Sequence, residues 1–256
     1  MADKLVQWLN ERGYQPIFIP ATGFEPPELY VLSERQLVHI GALKNYLPNE
    51  TAVPEMHQGT MPDIQIVQTQ TKSLRGAVDF LGNALAVLGL SRGPALDLSL
   101  ADTGDFVFSL TGVTYRELAP TEVAKLVKSL SPDLLPKKYA SSPSLNVAYH
   151  YAYATQLEMR RHGNKKFVGR ADGGKIENIM DVSGSASAQL SNGNTLTFKG
   201  RKSEPIAFAY RAAKLRQSGG SFELFSVQGF AKQAAEGALA PYIPARGQVL
   251  NVKSST

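Results

Sequence analysis

The sequence predicts an α+β protein, a twisted antiparallel β-sheet with helices around it, followed by a separable C-terminal appendage. Three observations carry this expectation. Several segments alternate apolar and polar residues with the two-residue period of half-buried strands. Turn chemistry such as Asn192-Gly193 and Asp102-Thr103-Gly104-Asp105 separates neighbouring runs of this kind, as hairpins require. Finally, Ser218-Gly219-Gly220-Ser221 reads as a flexible joint, dividing the chain into residues 1–217 and a tail, 218–256.

The first element is a short amphipathic helix. Asp3 can cap it, Leu5, Trp8 and Leu9 share a face, and Gly13 suits the residue just past its end. Next comes a passage rich in proline (Pro16, Pro20, Pro26, Pro27). Leu29–Ser33 and Gln36–Ile40 then read as two strands around a Glu34-Arg35 turn. Ala42–Leu47 suggests a helical turn closed by Pro48. Asp63–Thr71 alternates like a strand, and Ser73 can cap a helix reaching about Leu90. Ala95–Ala101 and Phe106–Leu110 form a predicted hairpin, and Thr121–Leu130 an amphipathic helix stopped by Pro132.

Beyond a Ser/Pro loop at Ala140–Ser144, Leu145–Met159 reads as one long strand with Tyr149, Tyr151 and Tyr153 on one face. Asp181–Leu190 and Thr195–Arg201 flank Asn192-Gly193, the strongest short hairpin pattern. Pro205–Leu215 is a further strand. The tail holds Phe222–Val227, an Ala-rich helical stretch near Phe230–Leu239, and Pro241 and Pro244. No internal repeat occurs.

Composition narrows the function. The 256 residues are 43% apolar and 19% charged, ordinary for a globular protein, with a net charge of +5 that weakly favours anionic partners. With no cysteine, thiolate chemistry, disulfides and cysteine-zinc sites are excluded. The N-terminus lacks the apolar core of a secretory signal. Gly76–Leu90, the most apolar stretch, is shorter than the roughly 20 residues of a spanning helix. A protein made soluble in the cytoplasm is the expectation, entering a membrane only after refolding.

No constellation calls for an active site, a metal or a cofactor. His39, His57, His150 and His162 show no metal-ligand spacing, and His150 is expected to be structural or at the surface. Gly169–Lys175 matches seven places of a phosphate-binding loop. The eighth, Ile176, lacks the hydroxyl that holds Mg²⁺, and Ile176–Ser183 reads as a strand rather than a helix. A Gly-rich turn is the simpler reading.

Positive charge gathers at Arg160, Arg161, Lys165 and Lys166, at Lys199, Arg201 and Lys202, and at Arg211, Lys214 and Arg216. A solvated rim is the plain reading. Contact with acidic lipid headgroups is the functional one, at about 1 kcal/mol per basic residue. Basic hairpins beside a tyrosine row also suit a nucleic-acid-binding module, the alternative kept open here. Ser183–Gln189 is small and polar, and Gly76–Leu90 apolar yet unlike a membrane helix. Both suit segments with one structure in water and another in lipid. Strands in lipid must close into a barrel, which a chain with few candidate strands achieves only as an oligomer.

The order of segments resembles the gasdermin pore-forming domain in its short bacterial form. The likeness rests on the N-terminal helix with Gly13-Tyr14-Gln15-Pro16, on Leu29–Ala42, on the strand Leu145–Met159 with its basic turn, and on Pro205–Arg211. It covers most of residues 1–216. The resemblance implies that regions near 63–111 and 156–210 refold as membrane-spanning hairpins in a large homo-oligomeric ring. It implies membrane permeabilisation and cell death in antiviral defence, with latency imposed by the tail until a protease cuts between Ser218 and Pro244. Anionic lipids, further copies of the chain and that protease are the implied partners, and the inner membrane its active location. Nucleic acid is not an implied partner. Met1-Ala2-Asp3-Lys4 departs from the family pattern, offering no cysteine for lipid modification. Fungal gasdermin-like regulators are a second version of the same likeness.

Overall fold

The computed structural model describes residues 4–33, 36–68, 106–140, 145–161, 179–182, 186–191, 195–200 and 204–226. Two antiparallel sheets dominate it, with few helices among the described residues. The helix α1 (Lys4–Glu11) ends as predicted. Gly13 takes φ +74°, Gly13 N–H donates to the Asn10 carbonyl and Tyr14 N–H to that of Leu9, a Schellman closure.

The first sheet is built on β8 (Leu145–Ala154), every residue of which is buried. One edge of β8 pairs with β13 (Ile206–Ser218). Along its other edge, β2 (Glu28–Ser33) pairs with Leu145–Ala148 and β7 (Thr114–Glu117) with His150–Tyr153. Outside these lie β3 (Gln36–Ala42) on β2 and β4 (His57–Thr60) on β7. On the far side of β13, β1 (Gln15–Ala21) and β14 (Ser221–Ser226) lie one after the other.

Each face of this sheet carries a core. Leu29, Val147, Tyr149 and Leu215 pack on one face with Val123, Leu126 and Val127 of helix α2 (Pro120–Lys128) and with Phe222. Tyr30, Ala148, Tyr151, Tyr153 and Tyr210 pack on the other with Ile17, Ala21 and Phe24. α2 starts on Pro120, with Glu122 in its first turn and Lys125 and Lys128 in its last, matching the helix dipole.

The second sheet has the order β10 (Ile179–Val182), β11 (Ala186–Ser191), β12 (Thr195–Gly200), β9 (Gln156–Arg161), β6 (Phe106–Thr111), β5 (Ile64–Gln68). The hairpin predicted around Asn192-Gly193 is present, closing on the Ser191–Thr195 pair.

Several expectations need correction. Leu145–Met159 is two strands, broken at Thr155, with β8 in the first sheet and β9 in the second. Asp181–Leu190 is likewise divided between β10 and β11. Ser218–Ser221 is a tight hairpin turn rather than a flexible joint. Gly219 and Gly220 take φ +58° and +85°, Ser218 pairs with Ser221, and Phe222 is buried against the core. The Pro-rich passage holds the strand β1, tolerated because it lies at a sheet edge and pairs with β13 only at Gln15, Pro16 and Ala21.

The three tyrosines of β8 do not share a face. The pairing of β8 with β13 shifts between Ala148 and His150, leaving Tyr149 without a partner in β13. This bulge turns Tyr149 toward the α2 side, whereas Tyr151 and Tyr153 enter the opposite core. The helix expected from Ser73 to Leu90, the strand Ala95–Ala101 with its Asp102–Asp105 turn, Gly169–Lys175 and the Ala-rich stretch near Phe230–Leu239 lie outside the described residues.

Candidate functional site

The second sheet is two-faced, and its cross-strand pairs show this directly. Ile64 opposes Leu110, Ile66 opposes Phe108, Phe108 opposes Met159, and Leu157 lies between Leu110 and Phe198. All seven of these side chains are buried. The alternate residues are mostly polar: Gln65, Ser109, Gln156, Glu158, Arg160, Thr195, Thr197 and Lys199 are half-buried or exposed, while Val107 on that face is buried. One apolar and one polar face, alternating at period two, is the pattern of a strand that can separate lipid from water.

Three strands of this sheet continue directly into the first sheet. β4 runs into β5 through Met61-Pro62-Asp63, β6 into β7 through Gly112-Val113, and β8 into β9 through Thr155. The breaks lie side by side and are bonded to one another. Met61 N–H donates to the Val113 carbonyl (2.9 Å), and Gly112 N–H to Asp63 Oδ1 (2.8 Å). Thr155 donates from both its N–H (3.0 Å) and its hydroxyl (2.9 Å) to the Thr111 carbonyl. Next to this level β12 ends, with Lys199 opposite Gln156, and β13 begins, with Ile206 opposite Ala154.

Of the basic residues singled out from the sequence, Arg160, Arg161 and Lys199 fall at two ends of this sheet, whereas Arg211, Lys214 and Arg216 lie on β13 of the first. Arg160 pairs with Thr195 at the end of the β9–β12 ladder remote from the crossing, whereas Lys199 pairs with Gln156 next to it. Both side chains are exposed on the polar face. Arg161 occupies the last position of β9, while Lys165, Lys166, Arg201 and Lys202 lie outside the described residues. Arg160 and Lys199 are therefore not brought together into one patch.

Two buried polar clusters escaped sequence reasoning. His150, 3% exposed, lies between Glu117 and Tyr14. Its Nδ1 is 2.7 Å from Glu117 Oε2 and its Nε2 is 2.8 Å from the Tyr14 hydroxyl. A carboxylate only accepts, so Nδ1–H donates to Glu117 and the Tyr14 hydroxyl donates to Nε2 of the neutral ring. Tyr115 stacks on the imidazole. Burial lowers the His150 pKa from its ordinary value, opposed by Glu117 and aided by Arg211. The guanidinium of Arg211 lies over the Tyr14 ring and donates to the Arg12 carbonyl (2.8 Å), tying the end of α1 to β13.

The second cluster centres on Glu28, 1% exposed. Tyr30 and Tyr151 both donate to its Oε2, at 2.9 and 2.7 Å, and His39 Nε2 lies 3.3 Å from its other oxygen. Burial, reinforced by the Glu28 charge, raises both phenol pKa values well above the usual range, so both stay donors. Short-range spacing could not reveal either cluster, because each joins residues more than a hundred positions apart.

Among the described residues, no group of three or more His, Asp or Glu side chains could hold a metal ion. The tyrosine row that the nucleic-acid alternative would use is buried. No described helix is long and apolar enough to cross a membrane.

Comparison with known proteins agrees with the geometry. The model of the Bacterial Gasdermin Family matches residues 17–221. Gasdermin bGSDM of Piscinibacter sakaiensis is 36% identical over 256 residues, covering 98% of this chain and 95% of the relative. A solved bacterial gasdermin from Bradyrhizobium tropiciagri shares the fold, with a TM-score of 0.54 at 12% identity over 95% of this chain and 96% of that one. With most of its length matched by the family model and by a relative of this identity, the chain belongs to the bacterial gasdermin family.

Proposed function

We propose that this chain is a latent membrane pore former, as befits its family. The two-faced second sheet is the observation that carries the reading: its apolar row meets lipid and its polar row lines water once hairpins from many copies close into a barrel. Among the described residues these strands run four to six residues, against the 9–11 of a spanning strand, and in this reading the hairpins reach full length on insertion.

The two basic groups take different parts in this reading. Lys199, beside the crossing between the sheets, meets the acidic headgroups of the near leaflet together with Arg201 and Lys202, which follow it in the sequence. Arg160 and Arg161, at the remote end, cross to the far leaflet and anchor the hairpin there together with Lys165 and Lys166, which follow in the sequence. Alanine at the first group weakens vesicle binding, and alanine at the second slows leakage after binding.

The tail supplies the restraint. The β13–β14 hairpin, which buries Phe222, supports a cleavage site beyond Ser226, between residues 227 and 244. A cellular protease then releases the restraint, and the loss of the membrane barrier kills the cell, as in defence against phage.

Dye release from anionic vesicles tests the reading, comparing the full chain with chain cut in that interval. Leakage confined to the cut protein is expected. Leakage from both keeps the pore and removes the tail's role. Silence from both, with folded protein, overturns the proposal and favours salt-dependent nucleic-acid binding instead.

A further inference from the structure

The crossing between the two sheets is a crease in a continuous ladder. From Thr60–Thr114 in the first sheet to Ile64–Leu110 in the second, each strand advances four residues. From Tyr153–Thr114 to Gln156–Thr111, each advances three. No residue is gained or lost on these three strands, so the same pairing runs through the break in step. The chain between β13 and β12 differs. From Ile206–Ala154 to Lys199–Gln156, it advances seven residues against two on its partner.

A ladder in step that is nonetheless bent needs something to hold the bend. Gly112 takes φ +60°, a left-handed conformation, and a Cβ placed there would lie 2.5 Å from Thr155 Oγ1 and 2.8 Å from Thr155 Cγ2. Thr155 therefore occupies the space that any other residue's side chain would need. The backbone N–H groups at the bend are satisfied locally, that of Gly112 by the Asp63 carboxylate and that of Thr155 by the Thr111 carbonyl, which also accepts from the Thr155 hydroxyl.

We propose that this crease is the hinge on which the hairpins straighten, with Asp63, Gly112 and Thr155 as the clasp that keeps it bent. The inference rests on the pore reading and specifies how the folded chain leaves its latent shape. On straightening, Gly112 moves to extended φ and comes to lie opposite Thr155, as the unchanged step of the ladder dictates. The Asp63 and Thr155 side chains give up their acceptor and donor roles to cross-strand backbone bonds. No strand pair among these three has to slip, which keeps the two faces of the sheet on their own sides.

Two measurements on the full chain test this. In amide hydrogen exchange without membrane, Asp63→Ala speeds exchange at Thr155 and Thr155→Val speeds it at Gly112. Each effect is about fivefold, the equivalent of one lost hydrogen bond in a shared opening, and Thr155→Ser restores the parent rate. Exchange altered only at the group that lost its own partner would overturn the hinge. In dye release from acidic phospholipid vesicles after protease treatment, Asp63→Ala and Thr155→Val leak about fivefold faster and Gly112→Ala faster still. Parent-like rates from folded variants would overturn the clasp. Coupled exchange with a parent that never leaks would instead keep the hinge and remove the pore reading.

Discussion

Glu28 shows what a single buried charge asks of its surroundings. Removing a carboxylate from water costs several kcal/mol unless its oxygens are bonded, and here two phenols and an imidazole from three strands converge on it. The same bonds hold β2 to β8 in one register. The Tyr30 and Tyr151 hydroxyls also lie 2.7 Å apart, so Glu28→Ala leaves one buried hydroxyl without an acceptor and is expected to cost about 2 kcal/mol in urea unfolding. His150 works in the opposite sense. Its folded pKa lies below the unfolded value of about 6.5, so the unfolded chain binds the extra proton as pH falls through that value. Stability contributed by the neutral ring is therefore present above about pH 6.5 and lost on acidification, by at most about 1.4 kcal/mol per pH unit. His150→Gln should flatten the melting temperature between about pH 7 and 5 relative to the parent.

At the scale of elements, the β13–β14 hairpin shows how two glycines were open to two readings. Gly-Gly between serines suits a flexible linker and a tight turn alike. The choice is made by Phe222 and Leu224, which pack on the core that α2 also covers. Because open space surrounds the Cβ position of Gly219, only the backbone resists substitution there. Gly219→Val is expected to lower stability by about 1–2 kcal/mol while Gly219→Asn costs much less, read from urea midpoints. β8 teaches a related lesson. A period-two row of tyrosines reads as one face until a bulge at Tyr149 reverses it, and the bulge answers to pairing with β13, some sixty residues away.

For the whole molecule, the decisive property is the separation of faces in the second sheet. Gln65 and Thr197 stand on the polar face of strands at different places in the sheet order. Gln65→Lys and Thr197→Lys should leave vesicle leakage within about twofold of the parent while shifting single-channel selectivity toward anions, because lumen positions accept charge that lipid-facing positions reject. Loss of leakage in both folded variants would place that face against lipid instead.

What the sequence determined by itself was local. Alternation marked β5 and β6, Asn192-Gly193 marked the hairpin that holds β12, Gly13 and Pro132 marked helix ends, and the order of segments pointed to the family. These features are written in spacings of two to four residues, where backbone geometry alone decides. Which strands share a sheet, where β8 and β9 part at Thr155, that the prolines of β1 lie at an edge, and that Glu28 and His150 are buried among phenols were decided only by tertiary structure. The physical reason is that burial and pairing depend on partners far along the chain. A residue such as Gly112 or Thr155 looks ordinary until the strand beside it arrives.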